Sequence, residues 1–306
     1  MENNYDLIII GGGPAGLTAG LYGSRAKLRT LLIEKMLAGG QIATTDHVEN
    51  YPGFMTGSGQ KLTEIMENQA KKFGTGFIMA EVTDVHLAGN EKIISTSQGQ
   101  YKAPAVILAM GTSSRKLNVP GEEQFLGRGV SFCATCDGAF FEDLPVMVVG
   151  GGDAAVEEAI YLTRFAEKVF LVHRRDALRA TKVVQERAFA HEKIKFVWDS
   201  VVDEIQGENL LERVVVKNVK NGRVKEIAVN GVFVYIGFLP NTGFLSGQVQ
   251  LSENGYIIAN ERMETSLPGV FAAGDCRQKL LRQVVTAAGD GATAAFAAEK
   301  YLEELR

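Results

Sequence analysis

One pattern, present twice, restricts the fold of this chain more than any other feature. Residues 5 to 35, YDLIIIGGGPAGLTAGLYGSRAKLRTLLIEK, run from an apolar strand through a glycine turn into an alanine-rich segment, then into a second strand ending in an acid. Residues 146 to 175, VMVVGGGDAAVEEAIYLTRFAEKVFLVHRR, repeat that order. Both stretches read as βαβ units. Gly11, Gly13 and Gly16 fit G-x-G-x-x-G, and Gly150, Gly152 and Ala155 fit G-x-G-x-x-A. Small residues at that spacing permit a tight turn, let a pyrophosphate approach the N–H groups at a helix start, and allow the helix to pack close to the strand. A single match is weak, because glycine turns also join strands to helices with no ligand present. Two matches in full βαβ context predict two dinucleotide sites.

The ends of the second strands distinguish the sites. Glu34 lies 23 residues after Gly11 (34 − 11) and His173 lies 23 after Gly150 (173 − 150), so the histidine takes the acid's place. A carboxylate there accepts hydrogen bonds from a ribose diol, as FAD or NAD offers, whereas His173, Arg174, Arg175 and Arg179 suit a 2′-phosphate. The first site is therefore expected to hold an adenosine without a 2′-phosphate and the second to favour NADPH. The competing reading of the arginines is a solvated basic patch at a strand end.

Further strand signals run into glycine at 105–112, 232–242 and 269–276, each a short apolar run with β-branched residues. Turn-rich stretches at 111–121 and 237–247 bracket the second unit as linkers. The expected fold class is α/β, with two Rossmann-like dinucleotide-binding domains and the second inserted in a discontinuous first. The boundaries read as 1–116, 117–245 and 246–306, with a closing helix from about Gly289 to Leu305. At 306 residues the chain is long enough for two such cores.

A net charge of −4 offers no electrostatic footprint for a phosphate backbone, which argues against nucleic acid as a partner. The start, MENNYDLIII, carries no lysines and its apolar run is cut at once by glycines, unlike a signal peptide or membrane span. The expected address is the cytoplasm, with no membrane partner. There a close cysteine pair is more often catalytic or metal-binding than a staple. CATCDG, residues 133–138, supplies Cys133 and Cys136. Zinc would need two further ligands, and neither a second C-x-x-C nor His47, His86, His173 or His191 has suitable spacing. A dithiol cycling with a disulfide needs two sulfurs a turn apart and a nearby proton source, for which Asp137 is a candidate; a turn or cap role before Gly138 fits Asp137 equally. Cys276 reads as a small buried apolar residue.

The segments GGGPAGLTA, GGQIATTDHVENYPGF, CATCDGAFF, GGGDAAVEEA, HRRDALRA and AAGDCRQKLLRQVVTAAGDGA occur in an order that resembles the low-molecular-weight bacterial-type thioredoxin reductases along nearly the whole chain. That resemblance implies a flavin site at Gly11, Gly13, Pro14, Ala15, Gly16, Glu34, Lys35, Gly40, Gln41, Thr45, Asn50, Val82, Gly111, Gly274, Asp275, Arg282, Gln283 and Val284. It implies an NADPH site at Gly150, Gly152, Asp153, Ala154, Ala155, His173, Arg174, Arg175, Arg179, Ile236 and Gly237. It further implies that Cys133 and Cys136 form the redox disulfide, that FAD and NADPH are the cofactors, that thioredoxin or a similar small redox protein is the partner, and that the chain forms a homodimer. Asp153 departs from the Asn of many relatives and adds a negative charge beside the pyrophosphate; Cys276 stands where valine is common. Rival expectations are a peroxiredoxin-feeding flavoprotein, disfavoured because the sequence opens at the FAD strand, and a ferredoxin-dependent reductase, disfavoured by HRR. A non-enzymatic flavin redox sensor is the rival from another class.

Overall fold

A computed structural model describes residues 3–45, 48–245 and 247–305. The chain packs as two compact units, residues 1–113 with 239–306, and residues 114–238. Both crossings fall inside the stretches 111–121 and 237–247, three and seven residues ahead of the boundaries read from sequence (116 − 113, 245 − 238).

The first unit opens with β1 (Leu7–Ile10), α1 (Pro14–Arg25), β2 (Thr30–Glu34), α2 (Gly59–Lys72) and β3 (Gly76–Met79). A three-stranded antiparallel sheet follows, β4 (Val82–His86), β5 (Lys92–Thr96) and β6 (Gly99–Ala103), and then β7 (Ala105–Leu108). β1 runs parallel to β2 and β7, with Leu7 opposite Thr30 and Ala105. Side chains alternate along a strand. Leu7 and Ile9 accordingly enter the cluster shared with α1, while Ile8 and Ile10 enter the one shared with β4–β6. The sequence LIII is apolar at every position because both faces are covered. Ser58 starts α2 by accepting the Lys61 N–H at 3.2 Å, and Leu62 and Met66, a turn apart, bury that helix against α1's cluster.

The chain crosses at β8 (Thr112–Ser114) into the second unit. There β9 (Val130–Ser131) and the four-residue helix α3 (Ala134–Asp137) precede β10 (Pro145–Gly150), α4 (Asp153–Leu162), β11 (Lys168–Val172), α5 (Lys182–Phe189) and β12 (Ile194–Val197). An antiparallel sheet, β13 (Ser200–Gly207), β14 (Leu211–Asn218) and β15 (Val224–Ala228), leads to β16 (Gly231–Tyr235). The parallel sheet has the order β12-β11-β10-β16-β9. Val146 and Val148 pack with α4 and α5, whereas Met147 and Val149 pack with β13–β15, as their counterparts do in the first unit.

The returning chain adds β17 (Phe238–Pro240), β18 (Val270–Ala272) and α6 (Val284–Glu304), completing the first sheet as β18-β7-β1-β2-β3. α6 begins five residues before Gly289 (289 − 284). A capping box explains the early start: the Gln283 side chain accepts a backbone N–H from the first turn, and the Thr286 hydroxyl accepts the Gln283 N–H at 3.2 Å. Small residues let α6 lie against α1, and a Cβ at Gly291 would collide with the Ala15 carbonyl. No helix among the described residues is long and apolar enough to cross a membrane.

Candidate functional site

In the first unit the turn after β1 is forced by sterics. Gly11 sits at φ +107°, and a Cβ there would run into the Ala109 carbonyl. Gly12 donates its N–H to Glu34 Oε2 at 2.6 Å, and Met36 donates to Oε1 at 3.2 Å, so the acid at the end of β2 is fixed against the glycine turn. Pro14 occupies the first turn of α1, and Gly13 ahead of it provides no side-chain cap. The helix start is thus left open to an anion.

Chain segments remote in sequence meet around this turn. A Cβ on Gly40 would press on Gly13, and one on Gly274 would press on Ala15. Gln41 donates from Nε2 to the Thr112 carbonyl and, at 3.0 Å, to its hydroxyl, while Asn50 Nδ2 donates to Gln283 Oε1 at 3.2 Å. Thr45 ends the short helix of 40–44, its N–H bonded to the Ile42 carbonyl at 3.0 Å. Gly111 accepts the Asn241 N–H at 3.1 Å, and Val284 opens α6. Lys35 points out to Glu81 at 2.7 Å, and Val82 leads β4 beside it. His47 lies outside the described residues.

The segment 274–283 carries several perturbed or unpartnered buried polar groups. Asp275 Oδ1 is buried with no hydrogen-bond partner among the described residues, and burial pushes its carboxyl above the usual range, while Lys279 and Arg282 pull it down and Asp290 pushes it up. The Arg282 guanidinium lies 4.2 Å over the Tyr256 ring, and its Nε also has no partner there. A buried polar atom without a partner costs about 1–3 kcal/mol. Arg277 Nε is likewise buried without a partner among the described residues, so the chain forgoes that stability at three positions of one segment, which fits a polar ligand such as a flavin nucleotide. Cys276 is fully buried with its thiol turned to the Leu108 and Ala273 carbonyls at 3.4 Å, and burial raises its pKa to about 12. It fills space and is not a thiolate.

Sequence reasoning did not single out Asp290. This carboxylate projects from α6 among alanines and glycines, accepts the Gly274 N–H at 3.0 Å, and pairs with Lys279 at 2.7 Å and Arg277 at 3.4 Å. An acid on an otherwise small and apolar helix face was the available signal.

The second unit repeats the turn with different chemistry. A Cβ on Gly150 would meet the Tyr235 carbonyl, and one on Gly151 would meet the His173 ring, which occupies the place that Glu34 takes beside Gly12. The space beside Gly152 is open, as it is beside Gly237, which follows Ile236 after β16. His173 Nε2 is buried without a partner among the described residues; burial lowers the imidazole pKa first, then Arg179, Arg175 and Arg174. All three arginines are exposed. Their loop is tied back to the turn, because Gly151 O accepts the Arg179 N–H at 2.7 Å and Asp153 Oδ1 accepts the Thr181 N–H at 2.7 Å. Ala154 is exposed in the first turn of α4, and Ala155 is buried against Gly150.

Cys133 and Cys136 are disulfide-bonded with Cα atoms 5.4 Å apart. Cys133 caps α3 and is half-buried, while Cys136 is exposed. The Cys133 N–H donates to Ser131 Oγ at 3.0 Å, and the Ala134 N–H donates to Tyr235 Oη at 2.8 Å. Burial first, then Glu158 and Asp137, pushes the Tyr235 phenol upward, so it stays neutral. Asp137 closes α3 directly before Gly138, half-buried. Among the described residues no three His, Cys, Asp or Glu side chains gather as metal ligands.

A family model described as pyridine nucleotide-disulphide oxidoreductase matches residues 5–291. The thioredoxin reductase of Peptoclostridium acidaminophilum is 52% identical over 99% of this chain and 98% of its own. A crystal structure of Lactococcus lactis thioredoxin reductase in its FR conformation shares 47% identity over 98% of this chain and 99% of its own, with a TM-score of 0.96. That of Streptococcus pyogenes thioredoxin reductase shares 49% over 99% and 100%, with a TM-score of 0.67. With paired glycine turns, a CxxC disulfide and full-length similarity of this degree, the chain belongs to the pyridine nucleotide-disulphide oxidoreductase family and, within it, to the thioredoxin reductases.

Proposed function

We propose that the protein reduces the disulfide of thioredoxin, or of a thioredoxin-like small redox protein, with NADPH as electron source. The observation that carries this reading is the Cys133–Cys136 disulfide, its Cys136 exposed, in the same unit as the open Gly152 cradle and the arginine loop. Bound FAD supplies the two-electron chemistry between NADPH and that disulfide.

In this reading the open start of α1, Glu34, Asn50, Gln283, Asp275 and Arg282 hold FAD. The start of α4 holds the NADPH pyrophosphate, and His173, Arg174, Arg175 and Arg179 take its 2′-phosphate. Two electrons and two protons open the disulfide to two thiols. One cysteine thiolate attacks the partner's disulfide, forming a mixed disulfide and expelling a partner thiolate that takes up a proton. The other cysteine then attacks the mixed disulfide, closing Cys133–Cys136 again and releasing the partner as a dithiol. Asp137 is the nearby candidate for moving those protons. A cytoplasmic homodimer with neither nucleic acid nor membrane as partner completes the reading; the net charge of −4 supports the exclusion of nucleic acid, and sedimentation tests the dimer.

The disulfide and the NADPH cradle share one unit while the flavin residues belong to the other, and a dithiol that meets a protein substrate must also reach solvent. Rotation about the crossings at 113/114 and 238/239 meets all three requirements. Gly111 and Gly237, each with open space beside it, flank those crossings.

NADPH oxidation measured with and without thioredoxin tests the function: steady consumption is expected only with it, and thioredoxin-independent rates would refute the substrate. A reversible engineered disulfide joining the units, sparing Cys133 and Cys136, tests the motion. Undiminished turnover in the locked form would refute the rotation.

A further inference from the structure

We propose that Asp290 is a positioning residue of the flavin site, one that keeps Lys279 off Asp275 and so leaves the Asp275 carboxylate available to the cofactor. The inference rests on the reading that segment 274–283 holds FAD. Asp290 and Lys279 are both about nine-tenths buried, with side-chain exposures of 11% and 8%, and Arg277 is 13% exposed. Within this pocket of cations stand two carboxylates, Asp290 and Asp275, and their partners are divided unequally. Asp290 takes Lys279 at 2.7 Å, Arg277 at 3.4 Å and the Gly274 N–H at 3.0 Å, whereas Asp275 Oδ1 takes nothing among the described residues.

That division is not what electrostatics would give if Asp290 lacked its charge. Lys279 lies close enough to Asp275 to lower its pKa, so an ammonium released by Asp290 has Asp275 as its remaining buried counterion. Leaving a buried ammonium unpaired is the costlier alternative. The consequence of losing the Asp290 charge is therefore capture of Asp275 by Lys279, which closes the carboxylate and drags the loop that presents Arg282 and Gln283. The Gly274 N–H bond holds the other end of the same segment, next to Asp275. Asp290 acts through Lys279 and the Gly274 N–H.

The test uses the full-length apoprotein of wild type, Lys279→Met, Asp290→Asn and the double variant, titrated with FAD by flavin fluorescence, with melting followed by circular dichroism. Wild-type apoprotein that takes up no FAD would sink the underlying reading of the site rather than the role of Asp290. With wild type binding, Asp290→Asn should weaken FAD by roughly 30-fold or more, as for the loss of a charge-assisted contact. Lys279→Met should stay within about 5-fold of wild type, and the double variant should recover most of the loss, because no ammonium remains to capture Asp275. Equal affinity of wild type and Asp290→Asn overturns the proposal, and so does a double variant as weak as Asp290→Asn. A purely structural role would lower melting and affinity together in both Asp290 variants. If Asp290→Asn does not fold, the double variant decides: folded with near wild-type affinity supports the proposal, and folded with weak affinity or unfolded overturns it.

Discussion

The two units are built alike and carry different side chains at their nucleotide cradles. Each has a parallel sheet with its glycine-turn strand at the centre, helices on one face and a three-stranded antiparallel sheet on the other. They diverge where the second strand ends. Beside Gly12 stands Glu34, an acceptor already bonded to the turn; beside Gly151 stands His173, followed by exposed arginines. Fold fixes where a dinucleotide goes, and one or two side chains at the same structural address decide which.

The largest expected effect separates the units altogether. The redox pair belongs only to the second, so Cys133→Ser or Cys136→Ser should abolish thioredoxin reduction while NADPH still bleaches the flavin. Parent-rate turnover of thioredoxin in either variant would show that the pair is not the conduit. Next in size is the nucleotide choice. Arg174→Ala with Arg175→Ala should weaken NADPH by about 10- to 150-fold and leave NADH little changed, the worth of a lost charge-assisted contact. Equal losses for both nucleotides would assign the arginines to folding.

The buried atoms without partners sharpen the contrast through pH. Asp275 in the first unit has a carboxyl pushed up by burial, and His173 in the second an imidazole pushed down by burial and its arginines. A raised folded pKa gives stability that is fully present below the unfolded value and lost as pH rises through the folded one; a depressed pKa gives stability present above the unfolded value and lost as pH falls. In the apoprotein, Asp275→Asn should therefore raise the melting temperature at neutral pH, the gain vanishing toward pH ~4, where the unfolded carboxylate titrates. His173→Gln should instead gain on acidification below about pH 6.5. Thermal melts across pH check both: the Asp275→Asn gain should grow as pH rises above about 4 and the His173→Gln gain as pH falls below about 6.5, so gains that grow in the same pH direction would break the comparison.

What the sequence discloses about these sites is what lies close along the chain. The glycine turns, Glu34 and His173 fall within single βαβ units, so period and spacing expose them. The contacts that complete the first site join residues 71 and 233 positions apart, Gln41 with Thr112 and Asn50 with Gln283, and spacing carries no trace of such pairs. The early start of α6 was hidden for a related reason, since a glutamine cap with a threonine partner is a less common signal than a serine or aspartate. The antiparallel sheets β4–β6 and β13–β15 left only polar alternation, which their half-covered faces explain.

The smallest effect concerns the first residue of each helix. α1 begins with Pro14 and α4 with Asp153, at matching places in the two turns. Proline is pre-set for that position and brings no charge. Aspartate favours the positive end of the helix, and here its Oδ1 also accepts the Thr181 N–H at 2.7 Å, tying the arginine loop to the turn. The same charge opposes a pyrophosphate bound at the α4 start. Asparagine keeps an Oδ1 acceptor for Thr181 and removes the charge, so Asp153→Asn should tighten NADPH and NADH alike, by roughly 2- to 5-fold, the range of one charge at a helix terminus. Asp153→Ala removes the acceptor as well, and should loosen the loop and weaken NADPH more than NADH. Calorimetric titration of both nucleotides against the three proteins measures this. Weaker binding by Asp153→Asn would show that the charge on the clasp, rather than its shape, holds the arginines in place.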